Sequence, residues 1–369
     1  MTIHAVEFYS GIGGLHKALD TSSVSGSVIR AYDWDQSACQ VYDANYGKGI
    51  VKKADISKLT ATELAELDAK LWLLSPSCQP YTVLNPEAKG ATDPRAKSFI
   101  HLMHNVLPEL VSMKRHPSHL LVENVAGFET STTRQDLLQI LHELGYSICE
   151  LLLTPLQFGI PNSRLRYYLL AKSDRRPFPL VPHCQKVCRH IPGRGVDWEN
   201  TRMQPEDEDS SIREIREYID DDLSEDDIHL YSVPDRVLEK WGRLFDIILP
   251  SSCRSCCFTR GYTKMVERSG SVLQMNETLD TTVVFDTFLK RQQVGDPSAI
   301  RILDDLKLRY FTPDELLRLF CFEPVGSRGN ERQGFVWPSA VSIKTRYKLI
   351  GNSVNVRIVK ELIEYLFEE

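Results

Sequence analysis

The order of apolar and polar residues predicts an α/β protein: a mostly parallel sheet with helices on both faces, joined to a smaller unit of different texture. Three observations carry this. Short apolar runs alternate with amphipathic stretches from residue 5 to residue 172. A glycine turn links the first run to the first helical stretch, and past residue 183 the alternation stops and prolines cluster. Parallel strands are buried on both faces and need helical crossovers, which is the pattern such alternation encodes.

Taken in order, "AVEFY" (5–9) reads as a buried strand and "SGIGGLHKALD" (10–20) as a glycine turn entering a helix. "SVIRAYD" (27–33) is a second strand, followed by the helical "DQSACQVYDANYG". "IVKKA", ending just before Asp55, forms another short strand. "LWLLS" (71–75), "HLLVENV" (119–125), "YSICELLLT" (146–154) and "RYYLLAK" (166–172) are β-rich, with helical stretches near 97–113 and 134–144 between them. The final helix carries apolar residues at Val356, Val359, Leu362, Ile363 and Leu366, a core-facing stripe able to pack back on the first sheet. The expected organisation is a catalytic domain over 1–182, a second domain over 183–338, and a return to the first over 339–369.

With 369 residues the chain is long enough for two domains, and 42% hydrophobic with 25% charged residues is ordinary globular composition. No apolar run approaches the roughly 20 residues of a membrane span, and the N-terminus lacks a signal-like core, so an intracellular protein without a membrane partner is expected. Nine cysteines in such a chain argue for reduced thiols. Residues 205–227 carry a net charge of −10 against −6 for the whole chain, so the remainder stands at +4 and can meet a polyanion on one face. That acidic block reads as a solvated, partly mobile insertion.

In "FYSGIGG" the glycines Gly11, Gly13 and Gly14 permit a sharp turn and close approach of a ligand to the helix start. Asp33, at the end of the next strand, is placed to accept both ribose hydroxyls of a nucleoside cofactor, or else caps the following helix. Asp55 ends another strand and either meets an adenine edge or caps the helix after it. No G-K-[ST] follows the glycines, which excludes a P-loop and leaves a dinucleotide or S-adenosylmethionine.

Cys78 follows "LWLLS" at the same sheet edge, within the proline-bracketed "SPSCQPYT". Glu123 ends "HLLVE", and Arg164 and Arg166 stand at the mouth of a later strand, two apart and so on one side. A thiol, a carboxyl and two guanidinium groups on a cofactor edge suit carbon alkylation of a pyrimidine. C5 of cytosine is a poor nucleophile until a thiolate adds to C6. Arginines lower the thiol pKa, and an acid at N3 stabilises the adduct. A stacked base must be extruded to reach such a pocket.

With those residues in view, the chain resembles the cytosine-C5 methyltransferases. The ordered series "EFYSGIGG", "SPSCQPYT", "ENVAGF", "GIPNSRLRYY" and "GNSVNV" carries the resemblance. A narrower likeness, in "SCCFTRGYTKMVERSGSVLQ" (255–274) and "LKLRYFTPDELLRLFCF" (306–322), is to the branch that methylates aspartate tRNA in the anticodon loop. The resemblance implies a Rossmann-like S-adenosylmethionine-dependent sheet with a smaller target-recognition domain. It implies transfer to cytosine 38, with S-adenosyl-L-homocysteine as product. It makes Cys78 the nucleophile, Glu123 the acid, and Arg164 and Arg166 the base-pocket arginines.

The implied cofactor shell is Phe8, Ser10, Gly11, Ile12, Gly13, Gly14, Asp33, Trp34, Asp55, Ile56, Ser75, Pro76, Asn352 and Ser353. The RNA contacts expected are Arg254, Cys257, Phe258, Thr259, Arg260, Tyr262 and Lys264, basic residues for phosphates with aromatics for unpaired bases. DNA is the lesser alternative substrate. A monomer in the cytoplasm, and in the nucleus as a second compartment, is expected. The cysteines near 183–190 and 253–257 are spaced too irregularly for zinc, so no metal is expected. One departure is Ser77, where the family usually has proline before the cysteine. Freeing φ there costs about 0.4–1 kcal/mol of preorganisation, which predicts a few-fold slower enzyme.

Overall fold

The computed structural model describes residues 2–77, 96–180, 187–194, 212–220, 222–326 and 334–369. Cys78 and the rest of 78–95 therefore lie outside the described residues, as do 205–211 and 221 of the acidic block.

Seven strands form the main sheet: β1 (Ile3–Phe8), β2 (Gly26–Asp33), β3 (Val51–Lys53), β4 (Leu71–Leu74), β5 (His119–Val125), β6 (Ser147–Leu153) and β7 (Arg166–Lys172). Their order is β3-β2-β1-β4-β5-β7-β6. The first five run parallel, and β7 is inserted antiparallel between β5 and β6. Two consequences follow for a site. The carboxyl ends of β1, β2, β3, β4 and β5 share one edge, and the order reverses beside β1, where open α/β sheets bind ligands. Because β7 runs the other way, its first residue, Arg166, arrives at that same edge.

The helices of the first half are α1 (Gly14–Thr21), α2 (Gln36–Tyr46), α3 (Ala61–Ala65), α4 (Lys97–His101), α5 (Leu107–Ser112) and α6 (Thr132–Glu143). A π-helical turn, Leu102–Val106, joins α4 to α5 just ahead of Pro108, whose missing N–H cannot serve a regular helical bond. The two faces of the sheet are the two sides of the core: Ala5, Ala31, Leu71 and Leu73 pack in one cluster, and Val6, Phe8, Trp72 and Leu74 in the other.

The rest of the chain adds α7 (Glu225–Tyr231), α8 (Asp235–Trp241), α9 (Thr281–Gln293), α10 (Pro313–Leu319), α11 (Ile343–Gly351) and α12 (Val356–Leu366). It also holds a three-stranded sheet of β8 (Asp246–Ile248), β9 (Ser271–Gln274) and β10 (Leu308–Arg309), ordered β10-β9-β8. The stripe Val356, Val359, Leu362, Ile363 and Leu366 is buried, and α12 packs on α1 and β7. The C-terminal helix thus completes the first sheet's cover.

The acidic block departs from its expectation over residues 212–220, while Asp222, Glu225 and Asp226 are exposed as expected. Ile215, Tyr218 and Ile219 are buried, and backbone bonds run from Ile215 N to Ser252 O (2.9 Å) and from Arg216 N to Pro250 O (2.8 Å). Asp220 meets the buried Arg318 at 2.8 Å, and its N–H donates to Glu315 Oε1 at 2.8 Å. Glu315 is itself doubly bonded by buried Arg309 at 2.7 and 2.8 Å. Three apolar side chains among the acids supply the anchor, and the arginines supply a charge partner, so 212–220 is docked rather than solvated.

Candidate active site

The loop after β1 is built on unusual backbone. Tyr9, Gly11 and Gly13 have φ of 60°, 52° and 82°. At Gly13 a Cβ would lie 2.2 Å from the Tyr46 ring, so both the dihedral and the space require glycine. Asp33 holds this loop: its Oδ2 accepts the Gly11 N–H at 2.8 Å, and its Oδ1 accepts that of Asp35 at 2.8 Å. The capping alternative for Asp33 fails, because Asp35 caps α2 through Ser37 N and Ala38 N. Burial pushes the Asp33 carboxyl up, partly offset by the Asp35 and Gly11 amides. Asp55 does cap, accepting Ser57 N at 3.0 Å and Ser57 Oγ at 2.7 Å, yet its side chain stays exposed at the end of β3.

The surroundings suit a nucleoside. The Ser10 hydroxyl is buried with no hydrogen-bond partner among the described residues, a polar atom aimed at something the polypeptide does not supply. The Trp34 side chain is 75% exposed, a large apolar face directly after the ribose-type carboxylate. Phe8 and Ile12 correct part of the expected shell: both side chains are fully buried in the core, so they can offer only backbone. Ile56 is likewise buried. Ser75 Oγ donates to Tyr9 O at 3.0 Å, Pro76 is buried, and Ser353 sits 3.0 Å from where a Gly14 Cβ would stand. Asn352 is exposed at the end of α11.

Beside this pocket lie the acid and the arginines. Leu74 pairs with Val122, so Glu123 is the first residue of β5 to extend past β4, level with the turn that leads to Cys78. Asn124 fixes that turn, its Nδ2 donating to Pro76 O at 3.4 Å. Glu123 is buried, and burial pushes its carboxyl up despite opposing Arg166 and Arg164. Arg166 Nε stands 3.5 Å from Glu123 Oε1, and its Nη2 lies 3.6 Å from Cys257 Sγ.

Arg164 behaves differently from its expected role in the base pocket. It is buried and donates to Phe258 O (2.7 Å), Ser353 O (2.6 Å), Gly351 O (3.2 Å) and Cys257 Sγ (3.4 Å), with its guanidinium 5.0 Å from the Phe320 ring centre. Its Nη donors are committed to the fold, so it clamps the second unit and the C-terminal segment onto β7. The same seam is sewn by Asn162, whose Nδ2 donates to Ser255 Oγ (3.1 Å) and Cys256 O (3.0 Å), and by Ser163 N to Ser255 O (2.9 Å). Cys257 is therefore part of the catalytic edge. Burial raises its thiol, but Arg166 and Arg164 outweigh that and bring it below the ordinary range.

The expected RNA strip is only half surface. Phe258 and Tyr262 are core residues, the latter donating to Ser271 O (2.8 Å) and accepting from Phe311 N (2.9 Å), so neither can stack on a base. Arg260, Lys264 and Arg268 are exposed, Thr259 is part-buried, and Arg254 is paired with Asp246 at 2.8 Å. Tyr9, Tyr46, Asn124 and Gly351 were not singled out by sequence; Tyr9, Asn124 and Gly351 had a signal, each lying inside a quoted motif, and Tyr46 had none.

A buried carboxyl raised in pKa, on the same sheet edge as a glycine loop with an unpartnered Ser10 hydroxyl, suits alkylation of a heterocycle, and the sheet is that of a methyltransferase. The chain belongs to the C-5 cytosine-specific DNA methylase family, which matches residues 3–368. Enzymes of this family use S-adenosylmethionine as methyl donor. Over its full length the chain is similar to two tRNA (cytosine(38)-C(5))-methyltransferases. That of Schizosaccharomyces pombe is 36% identical, with 99% of this chain and 97% of the relative covered. That of Bos taurus is 33% identical, with 99% of each covered. The solved structure of Spodoptera frugiperda DNMT2 superposes with a TM-score of 0.79 at 31% identity, covering all of both chains.

Trp34→Ala removes the exposed face beside Asp33. Loss of one base stack is worth about 1–3 kcal/mol, so S-adenosylhomocysteine should bind about five- to 150-fold more weakly by calorimetry.

Proposed function

We propose that the protein transfers a methyl group from S-adenosylmethionine to C5 of cytosine 38 in tRNA, with aspartate tRNA as the preferred substrate and the protein acting as a monomer. The observation that carries this is the meeting, on one sheet edge, of the glycine loop and Asp33 with Glu123, Arg166 and the strand end leading to Cys78. The cofactor supplies an electrophilic methyl group. Glu123, whose carboxyl is pushed up by burial, donates a proton to N3 as the Cys78 thiolate forms a bond to C6, and the ring electrons move to C5. C5 then takes the methyl group. Loss of the C5 proton to a solvent water re-forms the C5–C6 double bond and expels the thiolate, while the N3 proton returns to Glu123. Arg166 keeps positive charge beside Glu123 and the base pocket throughout. The exposed Arg260, Lys264 and Arg268 supply phosphate contacts.

The family description favours DNA as the second reading, and one experiment separates them. Purified protein is incubated with labelled cofactor and either tRNA or duplex DNA. Methyl transfer to tRNA, lost by at least about a thousandfold in Cys78→Ala, is expected. Transfer to duplex DNA in preference, or undiminished transfer by Cys78→Ala, overturns the proposal. Bisulfite sequencing of the product tRNA should place the mark at position 38 alone.

A further inference from the structure

Beneath the glycine loop lies a polar cluster that the chemistry above does not use. Glu7 stands on β1 amid apolar neighbours, 1% exposed. Its cross-strand partners are Ala31 on β2 and Leu73 on β4. Its Oε2 accepts the Tyr42 hydroxyl at 3.0 Å, and its Oε1 accepts the His16 backbone N–H at 3.4 Å. The Tyr42 oxygen is 2.6 Å from His16 Nδ1, and His16 Nε2 is 3.4 Å from Asp20. The His16 ring stacks on Tyr46 with centroids 4.2 Å apart, and the Tyr46 hydroxyl donates to Gly13 O at 2.8 Å. Hydrogen bonds thus join Glu7, Tyr42 and His16, and the His16 ring stacks on Tyr46, whose hydroxyl reaches the residue whose left-handed backbone starts α1.

We propose that Glu7, Tyr42, His16 and Tyr46 are positioning residues for the cofactor loop, and that the proton on Glu7 couples cofactor affinity to pH. The proposal rests on the reading of this loop as the S-adenosylmethionine site. Tyr46 fixes Gly13 twice, by its hydrogen bond and by filling the space under it. An ionised Glu7 accepts from the Tyr42 hydroxyl, whose oxygen then receives a proton from His16 Nδ1. A proton on Glu7 makes it a donor and reverses the path, turning Tyr42 to donate toward His16 and removing the charge that holds the His16 amide.

Among the described residues, the titratable groups facing Glu7 are His16 with Asp20 behind it on α1, and Tyr42 and Tyr46 on α2. From α12, Glu364 meets this region only at Ser23, past the far end of α1. Burial raises Glu7 to about 7, with His16 and Tyr42 opposing, which brings the change into the working range.

The test is calorimetric binding of S-adenosylhomocysteine at pH 6 and pH 8, so it does not depend on turnover. Wild type should bind about five- to tenfold more tightly at pH 8, since one proton is linked to the loop. Glu7→Gln fixes the neutral form and should flatten that dependence at the pH 6 affinity. Tyr46→Phe should weaken binding about threefold or more at both values through the lost bond to Gly13. Tyr42→Phe, which breaks the path while keeping the ring, should flatten the profile as Glu7→Gln does and serves if that variant does not fold. Wild-type protein that does not bind the nucleoside at either pH removes the cofactor reading itself. Binding by wild type with a pH profile unchanged in Glu7→Gln or Tyr42→Phe, or with affinity unchanged in Tyr46→Phe, overturns the inference alone.

Discussion

Glutamine at position 123 is expected to slow methyl transfer to tRNA by about a hundredfold or more, the span of a general acid, while S-adenosylhomocysteine binding stays near the wild-type value. The expectation comes from what surrounds the carboxyl. Burial raises Glu123, and Arg166 at 3.5 Å with Arg164 behind it draw it back only in part, so the group keeps its proton to higher pH than an exposed glutamate. The amide keeps shape and hydrogen bonding but has no proton to give. Rate against pH supplies a second reading of the same residue. The acid form is the active one, so wild-type turnover should fall as pH rises through the raised carboxyl pKa. In Glu123→Gln that limb should vanish. A variant that keeps it assigns the limb to another group.

Arg164→Ala is expected to cost stability rather than chemistry, by about 3–5 kcal/mol, as for a broken buried charge network. The carbonyls of Phe258, Gly351 and Ser353 lose their donor in a place where water cannot readily replace it. Urea unfolding measures the loss, and a midpoint within the error of wild type would show that the clamp is dispensable. Arg166→Ala is the useful contrast. Arg166 is part-buried and faces Glu123 and Cys257, so its removal should act on turnover more than on unfolding.

These two arginines also show where sequence stops informing. Two apart before a strand, they look equivalent, and only the arrival of the 255–259 segment decides that one is enclosed and the other faces the pocket. The strands were legible because strands buried on both faces are apolar along their length, and "HLLVENV" and "RYYLLAK" match β5 and the antiparallel β7 residue for residue. The placement of Asp33 and Glu123 on one sheet edge was legible because parallel strand ends converge there. Phe258 and Tyr262 misled because aromatic residues interleaved with basic ones look alike whether the rings lie on a surface or anchor a turn; here they pack against Phe311 and Tyr310. Ile215 and Tyr218 misled in the opposite sense, since net charge outweighed a few apolar anchors. Glu7 left a trace, a carboxyl within a buried apolar strand, but its partners come from α1 and α2 and no spacing rule joins them.

Gly351 carries a consequence for how a folded RNA is handled. A Cβ there would lie 2.2 Å from Thr259 C and 2.3 Å from Arg260 N, main chain against main chain with no side chain to yield. Two stretches ninety-two positions apart are thus seated without slack, beside the guanidinium that bonds to both. A hinge cannot operate across such a joint. At this joint the protein is expected to keep one shape when RNA docks, which leaves the adjustment there to the nucleic acid.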